Sequence, residues 1–272
     1  MTVASPINRL GGKKCLLKML SQYIPAHVTF CEPFAGGAKL LFSKTPSAVE
    51  IINDNDGELV NLYRCIKNDE KRSRLIALLN ELPYARSVFN SLKASMPEDD
   101  VERAARYFFL CRASFAGDVE RGGFAVPSTT GRNPVQSFRN AVDSLKAIAG
   151  RLRNVCIENL DYAECIRRYD SRESLFYIDC PYFGSEHFYG DSFTEDDHYK
   201  LAELLHGIKG MAMVSHYANS LYDDLYRGWH RYEYQSFKGS CKAAIGESKP
   251  VTVECLYTNF TPFKTKGLFD AI

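Results

Sequence analysis

Residues 29–42 read TFCEPFAGGAKLLF. An apolar run ends at Glu32-Pro33, Phe34-Ala35-Gly36-Gly37-Ala38 turns, and an apolar helix pattern follows. A strand passing into a helix through a glycine-rich turn is the opening unit of a doubly wound α/β sheet. Glycine at such a turn lets the backbone come close to a ligand. The same residues also suit a plain tight turn. They lack the full spacing of a dinucleotide fingerprint and the Gly-Lys-Ser/Thr of a phosphate-binding loop.

Working outward, β-rich apolar runs lie at 28–33, 48–53, 154–158, 174–179, 210–215, 230–237 and 251–258. Helical patterns separate most of them, at 69–82 and 101–111 for example. A third helix face runs Val135, Phe138, Val142, Leu145, Ile148, Leu152, spaced by three and four. Thr194 with Asp197 reads as a capping box with Asp in the usual Glu position. Strands alternating with helices predict an α/β fold with a mostly parallel, Rossmann-like sheet covered on both faces. The last two runs are joined only by FKGSCKAAIGESKP, residues 237–250, which predicts a C-terminal antiparallel hairpin. The stretch between the second and third runs is too long for one crossover. It divides the chain into a catalytic domain of residues 1–60 and 154–272 and an inserted helical subdomain, 61–153.

The chain has 272 residues, 45% hydrophobic and 25% charged, which argues against wholesale disorder. No apolar run approaches the ~20 residues of a membrane span. The first fifteen residues, MTVASPINRLGGKKC, have no apolar core of the signal-peptide kind. Nine cysteines form no C-x-x-C pair, which favours reduced thiols in a cytoplasmic compartment over a disulfide framework or zinc site. Net charge is +1, but residues 103–153 hold nine Lys/Arg against Asp118, Glu120 and Asp143, a local +6. Such a segment reads either as a face for a polyanion or as a solvated helix face.

Two further stretches carry chemistry. The second strand ends in Asn53-Asp54-Asn55-Asp56, where one acid suits the hydroxyls of a ribose and another a helix cap or Asx turn before Glu58. The fourth reads LFYIDCPYF, residues 175–183. An apolar strand thus delivers Asp179-Cys180-Pro181-Tyr182 at its carboxyl end, where open α/β sheets bind ligands. Aspartate offers an acceptor, proline stiffens the turn, and tyrosine offers a flat face. Together they make a clamp for an amino group on a flat heterocycle.

In this order the elements resemble the Dam-type DNA adenine N6-methyltransferases. Gly11-Gly12-Lys13 resembles the N-terminal GGK element, and Glu32-Pro33-Phe34-Ala35-Gly36-Gly37 the EPFxG motif around S-adenosylmethionine. Asn53-Asp54-Asn55-Asp56 resembles the ribose-binding strand end, Asn159-Leu160-Asp161-Tyr162 the later Asn-x-Asp-Tyr element, and Asp179-Cys180-Pro181-Tyr182 the catalytic DPPY. The stretch from Glu254 to Phe260 resembles the family's strand near the C-terminus. Arg9 stands where the family usually has an aromatic residue, Ala38 where a third glycine is common, and Cys180 in place of the first proline. The carbonyl of Cys180 survives that change, although a turn with one proline is expected to be less rigid.

The resemblance implies a methyltransferase sheet with an inserted DNA-recognition subdomain and S-adenosylmethionine as cofactor. It implies cofactor contacts from Arg9, Lys13, Glu32, Phe34, Gly36, Gly37, Asp54, Asp161 and Asp179. Site-specific or promiscuous adenine methylation of double-stranded DNA would follow, as in restriction–modification, with no metal and no membrane. Asp179 and the Cys180 carbonyl would accept hydrogen bonds from the flipped adenine's amine while Tyr182 stacks on the base. In the insert, Arg112, Arg121 and Arg132 lie in loop-like sequence and are expected on the DNA, on phosphate or guanine. His187, His198 and His216 flank strand ends without metal spacing and are expected to be surface or supporting residues, not bases. Competing readings are methyl transfer to RNA or a protein glutamine, a non-enzymatic DNA-binding module, and an inactive homologue.

Overall fold

The strands are β1 Thr29–Glu32, β2 Val49–Asn53, β3 Val155–Glu158, β4 Ser174–Ile178, β5 Met211–Tyr217, β6 His230–Phe237 and β7 Val251–Thr258. All seven expected runs are therefore strands, with ends moved by a residue or two. They form one sheet in the order β3-β2-β1-β4-β5-β7-β6. The first five are parallel, and β7 runs antiparallel to both β5 and β6. The hairpin folds back so that its second strand, not its first, joins the parallel sheet. The computed structural model describes residues 3–7, 16–119, 121–129, 131–184, 193–237 and 251–262.

The helices among these residues are α1 Leu17–Leu20, α2 Lys39–Ser43, α3 Gly57–Lys67, α4 Asp69–Glu81, α5 Arg86–Ala94, α6 Asp100–Ala113, α7 Pro134–Asp143, α8 Leu145–Leu152, α9 Tyr162–Tyr169, α10 Glu195–His206 and α11 Ser220–Leu225. Side-chain oxygens of Asp56, Asn68, Asp99, Asn133, Asp161 and Asn219 accept the first N–H groups of α3, α4, α6, α7, α9 and α11. The capping box at Thr194 opens α10, with Asp197 Oδ2 accepting the Thr194 N–H at 2.8 Å. The apolar face from Val135 to Leu152 spans two helices. Between them, the Ser144 hydroxyl donates to the Ala141 carbonyl at 2.8 Å and interrupts the backbone ladder.

Alternation along each strand sends neighbouring side chains to opposite faces. Phe30, Leu175 and Tyr177 join a core shared with helices α3 to α8, whereas Cys31, Phe176 and Ile178 join one beneath α9, α10 and α11. β4 is buried at every residue, as a central parallel strand must be.

A buried ion cluster fixes the long helical segment to the sheet. Glu50 on β2 accepts from Lys44 Nζ at 2.6 Å and from Arg151 at 2.5 and 2.8 Å, and Arg151 also donates to the Leu41 carbonyl. Burial alone would raise the Glu50 carboxyl, but the bonds from Arg151 and Lys44 outweigh it and hold it below the usual range. Much of the local positive charge is spent in this way. Arg106 donates to the Leu92 carbonyl at the end of α5, and Arg139 to the Leu79 and Leu82 carbonyls at the end of α4. Arg103 pairs with Glu58.

Glu50→Ala leaves two buried cations without their carboxylate and is expected to cost about 3–5 kcal/mol in urea unfolding. Because the carboxyl is lowered in the folded state, the cluster's contribution is complete above the unfolded carboxylate range. It is lost as pH falls through the folded value. The parental protein should therefore lose more stability than the variant on acidification. Equal loss would contradict the assignment.

Candidate active site

Strand order reverses between β1 and β4, and the carboxyl ends of β1, β2, β3, β4 and β5 open onto one crevice. After β1, Gly36 and Ala38 both take left-handed backbone, with φ of 46° and 45°. For alanine this costs about 1–2 kcal/mol, and Ala38 nonetheless opens α2. A Cβ on Gly36 would meet open space, so the turn needs glycine there for its φ and leaves room above it. Glu32 is buried beneath the turn, and its Oε1 accepts the Leu41 N–H at 2.8 Å. Burial, with Asp179 nearby, pushes its carboxyl up to about 8 against the opposing Leu41 bond. Its carboxyl thus supports the first turn of α2.

One buried amide ties three strand ends together. Asn53 Nδ2 donates to the Pro33 carbonyl at 2.9 Å and the Leu160 carbonyl at 3.0 Å, while Oδ1 accepts the Leu160 N–H at 2.8 Å. Asp54 Oδ2 accepts the Gly36 N–H at 2.8 Å and Oδ1 the Asp56 N–H at 3.0 Å. The two candidate acids thus divide the work. Asp54 faces the glycine turn, whereas Asp56 caps α3 and accepts the Tyr107 hydroxyl at 2.7 Å. Asn159 Nδ2 donates to the Asp54 carbonyl, and the exposed Asp161 caps α9 through the Ala163 N–H at 2.8 Å. Phe34 stacks on Tyr162 at 5.2 Å and meets Phe193 edge-on at 5.6 Å, giving the crevice an aromatic wall.

At the end of β4, Asp179 is half-buried, with the Ser215 hydroxyl 3.5 Å from its Oδ1. The Cys180 thiol lies 3.2 Å from the Tyr222 hydroxyl. Tyr182 is 6% exposed and packed against His216 and Tyr217, so stacking on a base requires a neighbouring group to move. The Phe183 N–H donates to His216 Nε2 at 2.8 Å. Ser215 and Tyr222 are residues that motif reading passed over as site components, while Asn53 was read only within the acidic strand end and His216 only as a surface or supporting residue. His216 carried a signal by standing at a strand end.

Arg9 and Lys13, with the rest of the GGK element, and His187 lie outside the described residues. Arg112 departs from the expectation of a DNA contact. Its guanidinium turns inward and donates to the Pro6 carbonyl at 2.7 Å and the Ser5 carbonyl at 3.0 Å, and burial brings it down to about 10. Arg121 and Arg132 are exposed on the loop after α6, and Arg132 lies 6.0 Å from the ring of Phe115, itself 46% exposed. Gly122 is required in this loop, since a Cβ would stand 2.2 Å from the Asp118 carbonyl oxygen. No group of three or more potential metal ligands occurs among the described residues. No helix among them is long and apolar enough to cross a membrane.

A family model for D12 class N6 adenine-specific DNA methyltransferase matches residues 10–238. The type II methyltransferase M.CviBI of Paramecium bursaria Chlorella virus NC1A is 27% identical, with 83% of this chain and 87% of that protein covered. The retron Ec67 DNA adenine methylase of Escherichia coli is 26% identical, covering 89% and 87%. The DNA adenine methylase of Escherichia coli K12 is 27% identical over 73% and 74%. The match runs from the N-terminal segment through the glycine turn and the Asp-Cys-Pro-Tyr strand end into β6, and the chain belongs to the D12 class of N6 adenine-specific DNA methyltransferases.

Proposed function

We propose that this family member transfers the methyl group of S-adenosylmethionine to the N6 amine of an adenine flipped out of double-stranded DNA. The observation that carries this reading is the half-buried Asp179 carboxylate at the strand-order reversal, in the same crevice as the glycine turn of β1. The residues fit the cofactor. Gly36 leaves open space, Asp54 and Asp161 offer acceptors for hydroxyl and amine groups, and Phe34 with Tyr162 offers flat rings for its adenine. When bound, the cofactor supplies a methyl group already activated on a cationic sulfonium.

The chain's own task is positioning and electrostatics. The adenine amine is a poor nucleophile because its lone pair is delocalised into the ring. Acceptance of its two hydrogens by Asp179 and the Cys180 carbonyl draws the nitrogen toward tetrahedral geometry and localises the lone pair. Pro181 stiffens the turn after that carbonyl, and Tyr182 stacks on the base once its cover shifts. Flipping costs a few kcal/mol. Arg121 and Arg132 help offset it by gripping DNA beside the exposed ring of Phe115.

Asp179→Ala is expected to abolish transfer of labelled methyl to adenine-containing duplexes while leaving DNA affinity close to parental. Near-parental methylation by the variant would overturn the assignment.

The insert arginines should separate in a salt series with short duplexes. Arg121→Ala and Arg132→Ala should each flatten the slope of log affinity against log salt by about one unit. Arg112→Ala should leave that slope unchanged and lower the unfolding midpoint instead. A slope change confined to Arg112→Ala would reverse the placement.

A further inference from the structure

The Asp-Cys-Pro-Tyr turn has a single proline, and the geometry behind it shows what fixes it instead. His216, at the end of β5, is fully buried. Its Nδ1 lies 2.8 Å from the Tyr217 carbonyl, an atom that only accepts, so the proton sits on Nδ1. Nε2 is then an acceptor, and it takes the Phe183 N–H at 2.8 Å. The imidazole is also flanked by aromatic rings. Tyr222 stacks on it at 3.6 Å and 18°, and Tyr182 packs against it at 4.6 Å and 33°. The Tyr222 hydroxyl in turn lies 3.2 Å from Cys180 Sγ and 2.7 Å from Nδ1 of His198, which is buried on α10. With one proton and two partners, that hydroxyl donates to one and accepts from the other.

From this we infer that His216 is a positioning residue for the target-base clamp, holding the backbone at Phe183 and the Tyr182 ring in register with the Cys180 carbonyl. Tyr222 completes the support by tying Cys180 to α10. The bond between Phe183 and His216 follows the clamp directly, so its loss lets the turn rotate without touching the glycine turn or the Asn53 amide. The inference rests on the proposed reaction.

Its test uses the full chain with S-adenosylmethionine and a duplex substrate. His216→Phe keeps an aromatic ring against Tyr222 but removes the acceptor, and His216→Gln restores an acceptor at comparable reach. The phenylalanine variant should lose kcat by about tenfold or more, with both KM values within about twofold of parental, because a misplaced clamp slows the step without weakening either ligand. The glutamine variant should recover most of kcat. Parental kcat in His216→Phe, a cofactor KM that rises in step with the loss, or glutamine no better than phenylalanine would overturn the proposal. Should His216→Phe not fold, Tyr222→Phe decides together with His216→Gln. The proposal requires a kcat loss of about threefold or more at unchanged KM in the first and near-parental kcat in the second, and the reverse pattern overturns it. A parental chain that transfers no methyl group would sink the proposed reaction and this inference with it, whereas an active parent with an unaffected His216→Phe sinks this inference alone.

Discussion

The crevice depends on the side-chain amide of Asn53. A parallel sheet delivers its strand ends to one edge, but nothing in the sheet ladder fixes the loops beyond that edge. Asn53 does so by bonding the Pro33 carbonyl on one side and both backbone groups of Leu160 on the other. The amide is 1% exposed, where each unmade hydrogen bond costs about 1–3 kcal/mol. The neighbouring Asp54 extends the same tie to Gly36. The glycine turn, the acidic strand end and the Asp161 loop are thereby one rigid wall, and β4 presents Asp179 against it.

The second half of the site is supported by a different set of residues. The Asp-Cys-Pro-Tyr turn rests on His216, Tyr222 and His198, drawn from β5, α11 and α10. The two walls meet in one core, since Phe34, Leu160 and Tyr162 pack against the cluster that holds Cys180 and Tyr222, and Phe193 touches both Phe34 and His198.

Sequence patterning made the central sheet legible because its buried strands are short apolar runs bounded by turn residues, as in β4 from Leu175 to Ile178. Two helix starts were legible through caps, at Thr194 and among the acids before Glu58. Contacts between distant residues were not. Asn53 and Leu160 are 107 positions apart, and an asparagine at a strand end reads as a turn residue until its partners are known. The Arg112 expectation failed for a related reason. A charge count cannot tell an arginine facing phosphate from one donating to carbonyls, and α6 turns Arg112 toward Ser5 and Pro6. Arg106, Arg139 and Arg151 consume local positive charge in the same manner. The strand position of β7 between β5 and β6 also lay beyond the pattern, since alternation identifies a hairpin without saying which arm joins the sheet.

The most direct test of this account is S-adenosylmethionine binding to Asn53→Asp, measured by calorimetry beside the parental chain. The substitution is nearly isosteric and keeps an acceptor for the Leu160 N–H, but it removes both donors and turns an acceptor toward the Pro33 and Leu160 carbonyls. The account predicts an affinity loss of about thirtyfold or more, corresponding to about 2 kcal/mol, with the far-ultraviolet circular dichroism of the sheet and helices retained. Parental affinity in Asn53→Asp would contradict it, because the cofactor wall would then stand without the amide that ties it.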